Sequence, residues 1–325
     1  MENLGRHLHR WTGNILALGE ITHDIIGAAP RLSVDDTATF LDTLAVSFGG
    51  RGANFALASR AINASVVLLA AVGRDLEQSG YRRHLEESGV DVSQLYVSAQ
   101  ERTPSAFIFN DPYSSRVFFH GRVLSESGFR ESITRLLSAA GRYEAVYCTS
   151  GSYQLNLEVL QRVSARLRVF APGHEVSEHP VDNLSNCLGL ADIAIMNEHE
   201  ADILSRRLGT RVDNLAAHTH GKSLVMTRGG RGVVVFDRGT QSQLPSVPAA
   251  VVDPTGAGDS FAGIFVPVFL CTGDLLLSSR VATVAGALAV ETVGAQPKFS
   301  IDQILRRYES HYGGADSAIG KANRS

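Results

Sequence analysis

The sequence predicts an α/β fold in which a parallel sheet is flanked by helices and carries a small antiparallel β lid. Three observations predict it. Short β-branched runs alternate with longer helix-periodic stretches; those runs are apolar throughout, as strands buried on both faces are; and two stretches leave the rhythm and alternate in polarity instead.

The first run is "NILALG" (14–19), and a Gly-opened helix follows from about Gly52. "SVVLLAAVG" (65–73) is the next strand, then a helix over Tyr81 to Ser88, then "AVYCT" (145–149). "LRVFAPG", "DIAIMN", a helix beginning near Glu198, "SLVMTRG" and "GVVVFD" continue the alternation, with apolar cores of strand length. Two long helices close the pattern, Asp259 to about Leu270 and Asp274 to about Val293. The departures are 28–48 and 102–120, where "SAFIFN" and "SRVFFH" read as antiparallel strands with one exposed face, either a separate lid sheet or edge hairpins of the main one. The chain reads as one domain over 14–312, with loose ends at 1–13 and 313–325.

Composition narrows the function. With 325 residues, 44% hydrophobic and 19% charged, the chain can bury one large core. A net charge of -3 without long basic runs gives no footprint for nucleic acid or an anionic membrane and leaves small molecules as partners. The start, "MENLGRHLHRWTG", lacks the apolar core of a signal peptide, and "FAGIFVPVFLCTG" is broken by Gly and Pro well short of a membrane span. Cys148, Cys187 and Cys271 are far apart and form no C-x-x-C pair, which fits a reducing, cytoplasmic setting.

Some motifs mislead. Gly221-Lys222-Ser223 ends like a Walker phosphate loop, but Ala216 stands where its first Gly belongs and a strand follows instead of a helix. After Gly50 and Gly52 the sixth position is Phe55, so no dinucleotide fingerprint is present. "HEVSEH" (174–179) matches no zinc-enzyme spacing and reads as a solvated loop; His7/His9 and His218/His220 read as surface pairs.

The segment "VVDPTGAGDSFAG" carries chemistry. Gly256, Ala257 and Gly258 leave backbone N–H groups bare where an apolar helix begins, which is a site for an anion such as a transferring phosphoryl group. Asp259 beside it can take the proton of an attacking hydroxyl, although a carboxylate at that position can also simply cap its helix. In "GGRGANFALASRAI", glycines at a helix start let the backbone approach a ligand, with Gly50, Arg51 and Asn54 placed to bind hydroxyls. In "LGEITHD", Asp24 at the end of the first strand can accept bonds from vicinal hydroxyls.

"GGRGAN" followed much later by "DPTGAGDSFAG" resembles the paired signatures of the ribokinase-like (PfkB) sugar and nucleoside kinases, over roughly Asn14 to Tyr312. "MNEHEA" is similar to the family's N-x-x-E element, with Asn197 and Glu200, and "TRGGRG" to its adenine-side loop, with Thr227, Gly229 and Gly232. The resemblance implies a Rossmann-like, ribokinase-like fold, ATP and Mg²⁺ as cofactors, Asp259 as base, and Glu200 with Asn197 arranging magnesium through its waters. It also implies a monovalent-cation site at Asp253, Thr255 and the carbonyls around Gly294. Lys298 stands where ribokinases usually carry Ser, and its ammonium is expected to replace potassium there.

Within the family the chain resembles two groups. "GAQP" (294–297) and the cation Arg51 look like ribokinase, which usually has Lys at that place, whereas Thr22 replaces an Asn typical of ribokinases. "FFHGRVLSESGF" and "AVETVGAQ" look like microbial adenosine and nucleoside kinases. The expected reaction moves the γ-phosphoryl of ATP to a hydroxymethyl of a ribonucleoside, with a furanose sugar as the alternative acceptor and a non-catalytic sensor on the same fold as the second. A homodimer through the lid is a further expectation from relatives.

Overall fold

The computed structural model describes residues 5, 6, 8, 11, 13–33, 37–113, 115–121, 126–138 and 141–322. The expectations for His7, His9 and residues 122–125 of "FFHGRVLSESGF" lie outside them.

The chain opens with β1 (Asn14–Leu18), whose last four residues are fully buried, then β2 (Thr22–Ala28), β3 (Thr43–Gly49) and helix α1 (Arg51–Arg60). Next come β4 (Ser65–Leu69), β5 (Ala71–Gly73), α2 (Asp75–Gln78), α3 (Tyr81–Glu87), β6 (Tyr96–Ser98), β7 (Ser105–Asn110), β8 (Ser115–His120) and α4 (Glu126–Ser138). The second half alternates regularly: β9 (Tyr143–Cys148), α5 (Tyr153–Arg162), β10 (Ala165–Phe170), α6 (Val181–Leu190), β11 (Ile193–Asn197), α7 (Glu198–Arg207), β12 (Ser223–Thr227), β13 (Val233–Asp237) and β14 (Thr240–Leu244). Helices α8 (Ala257–Thr272), α9 (Leu275–Ala289) and α10 (Ile301–Ala322) complete the chain.

The main sheet has the order β14-β13-β12-β11-β10-β9-β1-β4. Strands β4 to β12 in this order are parallel, as alternation with helices requires. One apolar layer packs α1, α8, α9 and α10 on one face, and the other packs α4 to α7 on the opposite face. The parallel expectation is corrected at the edge: β13 and β14 are antiparallel. "GVVVFD" follows β12 after only the turn 228–232, too short for the crossover a parallel neighbour needs. "SVVLLAAVG" is two strands rather than one, because β5 leaves the main sheet to pair with β6.

The irregular segments form a sheet of their own, β3-β2-β7-β8. It is not wholly antiparallel, since β2 runs parallel to β7. It also begins earlier than expected: Asp24 lies on β2, the lid's own strand, and not at the end of the first strand. The expected loose end from 313 is helical to Ala322, and Tyr308 and Tyr312 pack this helix onto the core. Among the described residues no helix is long and apolar enough to cross a membrane.

Candidate active site

Parallel strands end on one edge of the sheet, where loops collect the groups a ligand meets. Here Glu20 follows β1, Gly151 follows β9, Gly173 follows β10 and Asn197 ends β11. Helix α8 begins over this edge, with Gly256 as its N-cap at φ 75. A Cβ there would strike the carbonyl of Ala295 at 2.1 Å, so this turn closes only on glycine. Gly258, two residues on, has nothing near its Cβ position and faces open space.

Asp259 sits in the first turn of α8. Asn54 Nδ2 donates to its Oδ2 at 2.9 Å, because α1 and α8 pack closely enough for Ser59 Oγ to reach the Gly263 carbonyl at 2.8 Å. Burial pushes the Asp259 carboxyl up to about 7, against the Asn54 bond and Arg51, which pull it down, and with Glu20 and Glu200, which add to the rise. Asp24 is likewise pushed to about 6 by burial, with the Thr22 hydroxyl bond at 2.5 Å opposing and Asp253 assisting. The double glycine makes room for it: a Cβ on Gly49 would overlap the Asp24 carboxylate, and Gly50 adopts φ 102.

Arg51 departs from the expectation of a cation free for substrate hydroxyls. Its guanidinium is held between Glu20, with Nε to Oε2 at 3.2 Å, and Glu175, with Nη2 to Oε1 at 2.9 Å. Burial opposes its charge, but Glu20, Glu175 and Asp259 more than offset this and raise its affinity for the proton. Glu175 belongs to "HEVSEH", which is solvated only in part: His174, Ser177 and Glu178 are exposed, while Glu175 faces Arg51. His174–Ser177 is a 3₁₀ turn, His174 stacks on Phe119 of the lid at 4.5 Å, and His179 is buried edge-on to Tyr153.

The second cluster is built locally. Asn197 and Glu200 form a capping box at the start of α7: Glu200 N donates to Asn197 Oδ1 and Asn197 N to Glu200 Oε2, both at 2.9 Å. Thr227 pairs with Asn197 across β11 and β12, and an Arg231–Glu198 ion pair ties the turn holding Gly229 and Gly232 to the same helix. Burial raises the Glu200 carboxyl, with the Asn197 bond and Arg51 opposing. Only one of its oxygens is used by the cap, and a half-buried carboxylate with a free oxygen fits a nearby divalent cation. Asp253 Oδ1 accepts from Thr255 N at 3.0 Å and Oδ2 from Gly294 N at 2.9 Å, while Lys298 Nζ donates to the Val293 carbonyl at 3.1 Å.

With this geometry in place, the comparisons decide the family. The model of the pfkB family of carbohydrate kinases matches residues 12–302. The chain belongs to the pfkB carbohydrate kinase family. It is 28% identical over 305 residues to a nucleoside kinase of Methanothermobacter thermautotrophicus, covering 92% of this chain and 97% of that protein. It is 26% identical over 311 residues to a ribokinase of Haemophilus influenzae, covering 91% and 98%. The crystal structure of the Methanocaldococcus jannaschii nucleoside kinase superposes with a TM-score of 0.78 at 25% identity, covering 92% and 99%. The ribokinase-like fold and a kinase activity that uses ATP follow from this membership.

The pfkB signatures are thus brought together as two clusters around the start of α8. Sequence reasoning missed Glu20, Glu175 and Tyr81. Glu20 lies inside the quoted "LGEITHD", and its pairing with Arg51 is a long-range contact no spacing announces.

Proposed function

We propose that this kinase transfers the γ-phosphoryl of ATP to the hydroxymethyl of a ribonucleoside, with 14–312 as the catalytic unit. Asp259 accepts the proton of the attacking hydroxyl, and Asn54 fixes the direction of its carboxylate. The bare amides of Gly256, Ala257 and Gly258, at the positive end of α8, stabilise charge on the phosphoryl oxygens. Asp24, buried in the lid and aligned by Thr22, accepts bonds from the two ring hydroxyls of the acceptor. Asn197, Thr227 and the Gly229–Gly232 turn line the nucleotide side. Glu200 would hold Mg²⁺ through water, and the ion would supply charge neutralisation on the phosphates.

One observation favours a nucleoside. Register places Ser47, Asp24, Ala106 and Phe119 in one row across the lid, so Phe119 shares the face of Asp24 and its ring meets His174. An aromatic wall beside the diol reader suits a base. Nucleoside kinases among the relatives support this reading, and the ribokinase supports a free furanose as the second one. The opposite lid face carries the row Val46, Ile25, Phe107, Phe118, with Val46 75% and Phe118 56% exposed. That apolar row supports a homodimer through the lid. Free cysteines support a reducing, cytoplasmic setting.

The test is ADP release from Mg·ATP with adenosine, guanosine, cytidine, inosine, ribose and fructose against a no-acceptor control. Turnover with a nucleoside at far lower KM than with ribose is the expected result. Turnover with ribose or fructose alone would replace it by the sugar reading.

A further inference from the structure

Tyr81 lies on α3, outside every sequence motif, yet its hydroxyl stands between two loops of the site. It donates to the carbonyl of Gly49 at 2.7 Å and accepts from Gln296 Nε2 at 2.8 Å. Gln296 Oε1 meets His84 Nε2 at 2.8 Å. The directions are forced. A carbonyl can only accept, so Tyr81 gives its single proton to Gly49, Gln296 must present its NH₂ to Tyr81, and its oxygen therefore faces a protonated His84 Nε2. The chain runs one way, from His84 through Gln296 and Tyr81 to Gly49, with Phe48 stacked on Tyr81 at 4.2 Å and 6°.

Gly49 and Gln296, the two groups on either side of the Tyr81 hydroxyl, both adjoin ligand-facing groups. Gly49 is the residue whose Cα rests on the Asp24 carboxylate, at the root of the lid. Gln296 follows Ala295, whose carbonyl packs on Gly256, and its loop is fastened to the start of α8 through Gly294 N and Asp253. We infer that Tyr81 and Gln296 are positioning residues that couple the acceptor side to the phosphoryl side: seating of an acceptor at Asp24 is transmitted through Gly49, Tyr81 and Gln296 to the amides of Gly256–Gly258. The consequence is that acceptor and nucleotide bind cooperatively and that ATP is spared from water while the acceptor site is empty. The inference rests on the proposed roles of Asp24 and the α8 amides.

The test is a binding square. The Kd of Mg·ADP is measured by calorimetry with and without saturating adenosine, or ribose if adenosine is not turned over, for wild type, Tyr81→Phe and Gln296→Leu. Tyr81→Phe keeps the stacked ring and removes only the hydroxyl; Gln296→Leu breaks the same chain from the other side if the first variant folds poorly. Wild type is expected to show coupling of about fivefold or more. Both variants are expected to fall below about twofold, with each ligand's separate affinity changed little. A merely structural role would weaken both ligands and leave their ratio intact, and that result, or the absence of coupling in wild type, overturns the inference. Failure of either acceptor to bind beside tightly bound ADP would instead sink the functional reading, and this inference with it.

Discussion

On the proposed acceptor side, Arg51 is fixed by Glu20 and Glu175, 31 and 124 positions away, and all three side chains are at most 22% exposed. On the proposed nucleotide side, Asn197 and Glu200 cap each other across three positions, and the Arg231 side chain that joins the neighbouring turn is 67% exposed. The first half of the site is a long-range buried network, the second a pair of local motifs under a solvated ion pair. Burial makes the Arg51 clamp electrostatically stiff, since its guanidinium lies between two carboxylates in a low-dielectric setting. The other side keeps its shape mainly through helix, strand and turn geometry, so the two halves should answer mutation differently.

The largest effect is expected where the halves meet. Asp259→Asn removes the proposed base and should lower kcat by roughly 10²–10⁴ while nucleoside affinity, measured by calorimetry, stays within a fewfold. An unchanged rate would remove Asp259 from the mechanism. The wild-type pH profile should carry the same signature: with Asp259 pushed up to about 7, kcat/KM for the acceptor falls as pH drops below that value. The stability sign runs the other way. A carboxyl whose folded value is raised costs stability as pH rises from the unfolded value of 3.8 toward about 7, so Asp259→Asn should unfold at higher temperature than wild type at pH 8 and lose that gain toward pH 4.

The next effect separates the halves directly. Arg51→Met leaves Glu20 and Glu175 facing each other without their cation and should cost about 3 kcal/mol in urea unfolding. Arg231→Met breaks only the exposed pair and should cost less than about 1 kcal/mol. Equal losses would erase the distinction drawn above. Asp24→Ala should come after these, raising the acceptor KM by roughly 10–100-fold, the loss of one or two charge-assisted hydrogen bonds, with KM for ATP little changed. A matching rise in both constants would show that Asp24 acts on the whole site and not as a reader of the acceptor.

The same contrast explains what was legible. Asn197, Glu200, Gly229 and Gly256 could be read because a cap, a turn or a positive φ is a demand made within a few residues, and residue type answers it. Arg51 was found for the same reason, through its glycines, but its partners were not: nothing local distinguishes Glu175 in "HEVSEH" from a solvated acid until β10 is laid beside β9 and β1. Strand existence followed from apolar runs, while strand direction at β13 depended on the length of a turn. Asp24 was assigned to the wrong strand because "LGEITHD" crosses from β1 into β2 with only three residues between, Gly19, Glu20 and Ile21. No proline or turn pair marks a break in that short link, and only the lid pairing shows where the second strand begins.

The smallest expected effect concerns the loop that links the halves. Asp253 is buried, and its two oxygens already serve Thr255 N and Gly294 N, while the Lys298 ammonium rests on the Val293 carbonyl, the neighbour of Gly294. We propose that this ammonium takes the place of a monovalent cation. Lys298 is exposed, so its contribution is less than about 1 kcal/mol and the corresponding rate change stays below about fivefold. Replacing tetramethylammonium by potassium should leave wild-type turnover nearly unchanged, whereas Lys298→Ser should be slower without potassium and recover with it. A clear rise in wild-type rate on adding potassium would mean that the carbonyls around Gly294 still bind the ion and that Lys298 lies beside the site instead of filling it. The charge of the loop would then be set by the medium, and the link between the halves would depend on salt as the buried clamp at Arg51 does not.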